Sequence, residues 1–110
     1  MNETIKRLKG VRDLLERGWC QGAYARDADG IERPAGSEEA VRFCLSGACL
    51  RVYLKTLPRM DITHHLVETV RELGLPNLPS FNDNHTQAEV LALVDKTIER
   101  VEASRGREHE

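Results

Sequence analysis

The sequence predicts a mainly helical domain of four helices, with a short β-hairpin-like insertion between the first and the second. Three observations carry this. Apolar residues recur at three- and four-residue spacing in four separate segments. Capping or breaking residues bound those segments, and a glycine-rich stretch from Gly18 to Pro34 separates the first two. At 110 residues the chain supports one core but not two, so a single domain is expected over residues 1–104, followed by a polar disordered tail at 105–110.

The first helix is expected from Asn2 to Arg17, with Ile5, Leu8, Val11, Leu14 and Leu15 as its stripe and Gly18 as its stop. In the insertion, Tyr24 to Arg26 can pair with Ile31 to Arg33 around Asp27, Ala28, Asp29 and Gly30, where Gly30 supplies a positive φ. Such a ribbon is marginal alone and must rest on helices. Ser37 reads as the N-cap of a second helix running to about Lys55, with Glu38 and Glu39 in its first turn. Apolar residues cover most of its circumference, which places it at the centre of the domain. A third helix is expected to start at Asp61 or Thr63, carry Ile62, Leu66, Val70 and Leu73, and stop at Gly74, Leu75 and Pro76. The stretch from Pro76 to His85 reads as loop. Thr86 and Glu89 then form a capping box for a fourth helix bearing Val90, Leu91, Val94, Ile98 and Val101.

Composition limits the functions available. With 40% hydrophobic and 31% charged residues the chain reads as a globular domain. Sixteen basic residues against eighteen acidic give a net charge of -2. Only Lys6, Arg7, Lys9 and Arg12 cluster, so the counterion displacement that drives nucleic-acid binding is disfavoured. No apolar run approaches the roughly 20 residues that span a bilayer, and the N-terminus lacks the apolar core of a signal peptide. The expected location is cytoplasmic. An odd count of three cysteines then argues for reduced thiols rather than a disulfide framework.

Chemistry-bearing residues are present without a decisive pattern. Cys20, Cys44, Cys49, His64, His65 and His85 are metal-ligand types, yet no C-x-x-C or H-x-x-x-H pair occurs, and neither metal nor cofactor is expected. Cys44 and Cys49 would diverge by about 140° on a regular helix. His64 with Glu68 reads as a surface pair. The "DADG" start of a calcium loop fails at its sixth position, where Glu32 stands in place of Gly. A thiol nucleophile could be Cys44 or Cys20, with His64, His65 or His85 as base and Asp83 to orient it. Placed inside the second helix, Cys44 is expected to be inert. Arg26 is expected to pair with Asp83 and pin the insertion to the loop before the last helix, with Asp27 capping its own turn. In the functional alternative those loops enclose a binding pocket formed by Trp19, Tyr24, Arg26, Asp27, Phe81, Asn82 and Asp83.

Several of these residues also form a pattern: Gly18-Trp19 with Gly22, Ala25-Arg26-Asp27 with Gly30, Arg42-Phe43-Cys44 with Gly47-Ala48, Leu78-Pro79, Asn82-Asp83, and Thr86 with Glu89-Val90. The set resembles a family of small bacterial and phage proteins of unknown function, although Phe81 stands where the family pattern has Trp. The resemblance implies no activity. The expected role is a non-enzymatic binding protein with another protein as its partner, an accessory protein of a phage or mobile element. A cysteine-dependent enzyme and a metal-binding domain are the alternatives.

Overall fold

Trp19 places its indole N–H 2.8 Å from the side-chain oxygen of Asn82, sixty-three residues further along the chain, and the fold is arranged around that meeting. The computed structural model describes residues 3–56 and 61–108. Its elements are α1 (Glu3–Arg17), β1 (Ala25–Arg26), β2 (Glu32–Arg33), β3 (Arg42–Phe43), α2 (Leu45–Thr56), α3 (Asp61–Glu72), α4 (Leu78–Asn84) and α5 (Gln87–Glu108). The mainly helical class is correct, but five helices, not four, lie among the described residues. The expected tail overlaps the end of α5, and residues 109–110 lie outside the described residues, as do residues 57–60 of the expected break before α3.

The core is the shared interior of the helices. α1 buries Ile5, Leu8, Val11 and Leu15 and packs mainly against α5 and α2, while α3 packs on α5. Leu45, Ala48 and Val52 of α2, Ile62, Leu66 and Val70 of α3, Leu78 and Phe81 of α4, and Val90, Val94 and Ile98 of α5 complete one cluster. Arg12 donates to Asp95 at 2.6 Å, and Gln87 of α5 caps the Leu15 carbonyl at 2.8 Å, so the C-terminal half of α1 is tied to the first half of α5. α3 ends as expected: Gly74 has φ +77°, and the Leu75 N–H donates to the Val70 carbonyl. The capping box of α5 is complete, with Thr86 and Glu89 each satisfying the other's backbone donor.

The expected hairpin forms, with Ala25 opposite Arg33 and Arg26 opposite Glu32, and Gly30 takes φ +83° at its turn. It gains a third strand, because β3 pairs antiparallel with β1 in the order β2-β1-β3. A parallel bridge from Trp19 to Phe43 extends the sheet beyond β3: the Phe43 N–H donates to Gly18 and the Cys20 N–H donates to Phe43.

Two expectations are corrected. The helix placed from Ser37 starts only at Leu45. Ser37 instead closes a local turn, its hydroxyl accepting from the Glu39 N–H and its carbonyl from the Ala40 N–H. Arg51 then holds the Ala35 and Ser37 carbonyls against α2. The stretch read as loop before α5 contains α4, for which Asn77 is the N-cap, accepting from the Ser80 N–H at 2.9 Å, with Pro79 in the first turn.

Candidate functional site

Asn82 is fully buried, and its amide makes every hydrogen bond open to it. The oxygen accepts from the Trp19 indole and, at 3.0 Å, from the Leu45 N–H; the nitrogen donates to the Cys20 carbonyl and to Asp83 Oδ1, both at 3.1 Å. Leu45 is the first residue of α2, so one of that helix's orphan donors is capped from α4. The neighbouring cap is Cys44, whose sulfur accepts from the Gly47 N–H at 3.2 Å. The start of α2 is therefore set by tertiary contacts.

The expected Arg26–Asp83 pair is replaced by other ties. Asp83 Oδ1 accepts from the Gly22 N–H at 3.1 Å. Gln21 donates through one nitrogen to the Asn82, Asp83 and His85 carbonyls at the end of α4, each at 3.1 Å. Arg26 turns back to the Gly30 and Gln21 carbonyls. Asp27, 6% exposed, caps its own turn as expected, accepting from the Asp29 and Ile31 N–H groups, and also holds Arg33 at 2.9 Å. These bonds, led by that from Arg33, keep its carboxyl below the usual range. Gln21 went unnoticed in the sequence. Its position just before Gly22 and two residues after Trp19, in a stretch bounded by glycines, is the available signal.

Of the residues expected to line a pocket, Trp19, Phe81, Asn82 and Asp27 are spent on packing and ties. Phe81 is buried and its ring stacks on His85, with centroids 4.0 Å apart. Tyr24 faces open space, and Asp83 both ties Gly22 and borders that space. Tyr24 is 58% exposed, and its carbonyl lies where only glycine fits on α2: a Cβ on Gly47 would come within 1.8 Å of that oxygen. Two depressions meet at Tyr24 and Ser46. One, of about 290 Å³, is walled by Gly22, Glu32, Cys44, Pro79 and Asp83. The other, of about 200 Å³, is walled by Leu50, Tyr53, Thr63 and Leu78. Together they form a groove across α2 whose first half carries two carboxylates and whose second half is mostly apolar.

The candidate catalytic residues are not assembled into a relay by their hydrogen bonds. His85 donates from Nδ1 to the Phe81 carbonyl at 2.7 Å, and His64 pairs with Glu68 at 2.8 Å. His65 packs edge-on against His64. Cys44 precedes α2 instead of lying inside a helix, so its expected placement is corrected: it lines the groove, although only 7% exposed. Burial pushes the Cys20 and Cys44 thiols up, and that of Cys49 up to about 12. Among the described residues no group of three or more His, Cys, Asp or Glu could hold a metal ion, and no helix is long and apolar enough to cross a membrane.

A family model described as a family of unknown function (DUF6197) matches residues 1–100. No curated protein and no solved structure matches the chain.

Proposed function

Because the chain belongs to that family of unknown function, which brings no activity with it, we propose a role from the molecule's own surface: a non-enzymatic binding module that takes a short segment of another protein in the groove across α2. The observation that carries this reading is the exposed Tyr24 ring poised between the two halves of the groove. Exposed aromatic side chains beside a pocket are the usual anchors of protein interfaces. Glu32 and Asp83 stand on one side with no cationic side chain in the same wall, and Leu50, Tyr53 and Leu78 stand on the other. That pattern suits a segment with a basic side chain next to an apolar one. We place the protein with phage or mobile-element accessory proteins, a setting that the neighbouring genes would test.

A pull-down from host lysate compares the wild-type protein with Tyr24→Ala. The substitution removes an exposed ring and should change stability by less than about 1 kcal/mol, so both proteins remain folded. The partner captured by the wild type is lost with Tyr24→Ala; equal capture by both, or capture by neither, contradicts the reading.

Thiol chemistry at Cys44 is the second reading, favoured by its place at the start of α2, where a helix N-terminus stabilises a thiolate. Burial opposes a catalytic nucleophile there more strongly, since the net direction is upward and little thiolate is present for repeated turnover at neutral pH.

A further inference from the structure

The sheet brings two thiols together from segments twenty-four residues apart. Trp19 and Phe43 are parallel bridge partners, so the next residues, Cys20 and Cys44, are the next pair across the same two segments. Side chains alternate along extended chain. Phe43 and Ala25 therefore share the buried face, while Tyr24, Cys44 and Cys20 share the opposite one. Neighbouring segments are about 4.8 Å apart, within the Cα separation of about 4.4–6.8 Å that a disulfide requires. All three cysteines are free thiols. Cys20 and Cys44 are each 7% exposed, and Cys44 lines the groove. The alternative partner, Cys49, lies five residues along the chain from Cys44 and within α2. A rise of about 1.5 Å per residue carries it beyond disulfide reach.

We infer that Cys20 and Cys44 are an oxidisable dithiol that closes to an intramolecular disulfide when the protein meets peroxide. The Cys44 sulfur, reached through the groove, attacks one peroxide oxygen; the O–O bond breaks, a sulfenic acid forms and water leaves. The Cys20 sulfur then attacks the Cys44 sulfur, the S–O bond breaks, the S–S bond forms and a second water leaves. Two thiols lose two electrons and two protons in all, and hydrogen peroxide takes them up as two waters. Closure draws the Cys44 sulfur away from the Gly47 N–H that it caps, so oxidation alters the floor of the groove. The inference does not depend on the binding role, because it is tested on the isolated protein.

The reduced full-length chain is treated with hydrogen peroxide, the remaining thiols are blocked with N-ethylmaleimide, and intact mass and a non-reducing peptide map are recorded. The expected product has lost two of its three free thiols, with a mass about 2 Da below the reduced chain before blocking. A tryptic peptide of residues 18–26 should be linked to that of residues 43–51. Because the latter holds both Cys44 and Cys49, Cys49→Ala is run in parallel and should form the same link, whereas Cys20→Ser should form none. The wild-type map with fragmentation is decisive even if a variant fails to fold. Linkage through Cys49, oxygen adducts without linkage, disulfide-bonded dimers or unchanged thiols would each overturn the proposal.

Discussion

Asn82 shows how one side chain can hold three segments. Truncating it to alanine would leave the Trp19 indole N–H, the Leu45 N–H and the Cys20 carbonyl without their partner in or near the core. Each buried polar group left unpaired costs about 1–3 kcal/mol. Asn82→Ala should therefore lower stability by about 3 kcal/mol or more, read from the chemical-denaturation midpoint with unchanged slope. A loss under about 1 kcal/mol would show that the junction is not held by this amide. Asp27, at the turn between β1 and β2, makes a pH-dependent contribution. Its carboxyl is held down first by Arg33, then by the Ile31 and Asp29 N–H groups against the opposing effect of burial. A group depressed in the folded state stabilises fully above its unfolded value, about 4, and loses that contribution as pH falls through the lower folded value. Asp27→Asn should thus be less stable than wild type at neutral pH, with the gap narrowing below about pH 4. A gap that stays constant into acid would contradict the assignment.

At the scale of elements, two helical glycines predict opposite outcomes. Gly10 lies within α1, and an added Cβ would meet Val52 at 3.5 Å, an ordinary contact. Gly10→Ala should stabilise by about 0.5–1 kcal/mol through helix propensity. Gly47→Ala would drive a methyl into the Tyr24 carbonyl, a backbone atom that cannot swing aside, and should cost about 3 kcal/mol or more. Thermal melts of the two variants check both signs. Elements set by their own residues were legible in the sequence: the stripe of α1, the Gly74 stop, the Thr86–Glu89 box and the Gly30 turn each need only neighbours within a few positions. β3 and the start of α2 were not. Val41, Phe43 and Cys44 suit a helix or a strand equally, and the choice comes from the Trp19 bridge and the Asn82 cap. α4 is hard to read because Pro76 and Pro79 suggest a loop, although Asn77 followed by Pro79 in the first turn is a local helix-start signal.

Across the whole molecule, the residues picked out by type divide into two sets. Trp19, Asp27, Phe81 and Asn82 hold the sheet and its neighbouring segments in place, Tyr24 borders the groove, and Asp83 does both. The sequence indicated that the two loops meet, but not which residue of each pair makes the tie. Arg26 was the natural candidate for Asp83 by charge, yet backbone groups and Gln21 supply the bonds. Leu50 and Tyr53 border the groove because α2 presents its outer side to it, an orientation that its nearly all-round apolar pattern does not specify. Binding of a partner in the groove requires Tyr24 to be an anchor rather than one more exposed ring. Its most direct test is the lysate pull-down carried out with Tyr24→Ala beside Leu73→Ala, a truncation of another exposed apolar side chain just after α3. A partner held by wild type should be retained by Leu73→Ala and lost by Tyr24→Ala. Retention by both, or capture by none, would contradict it.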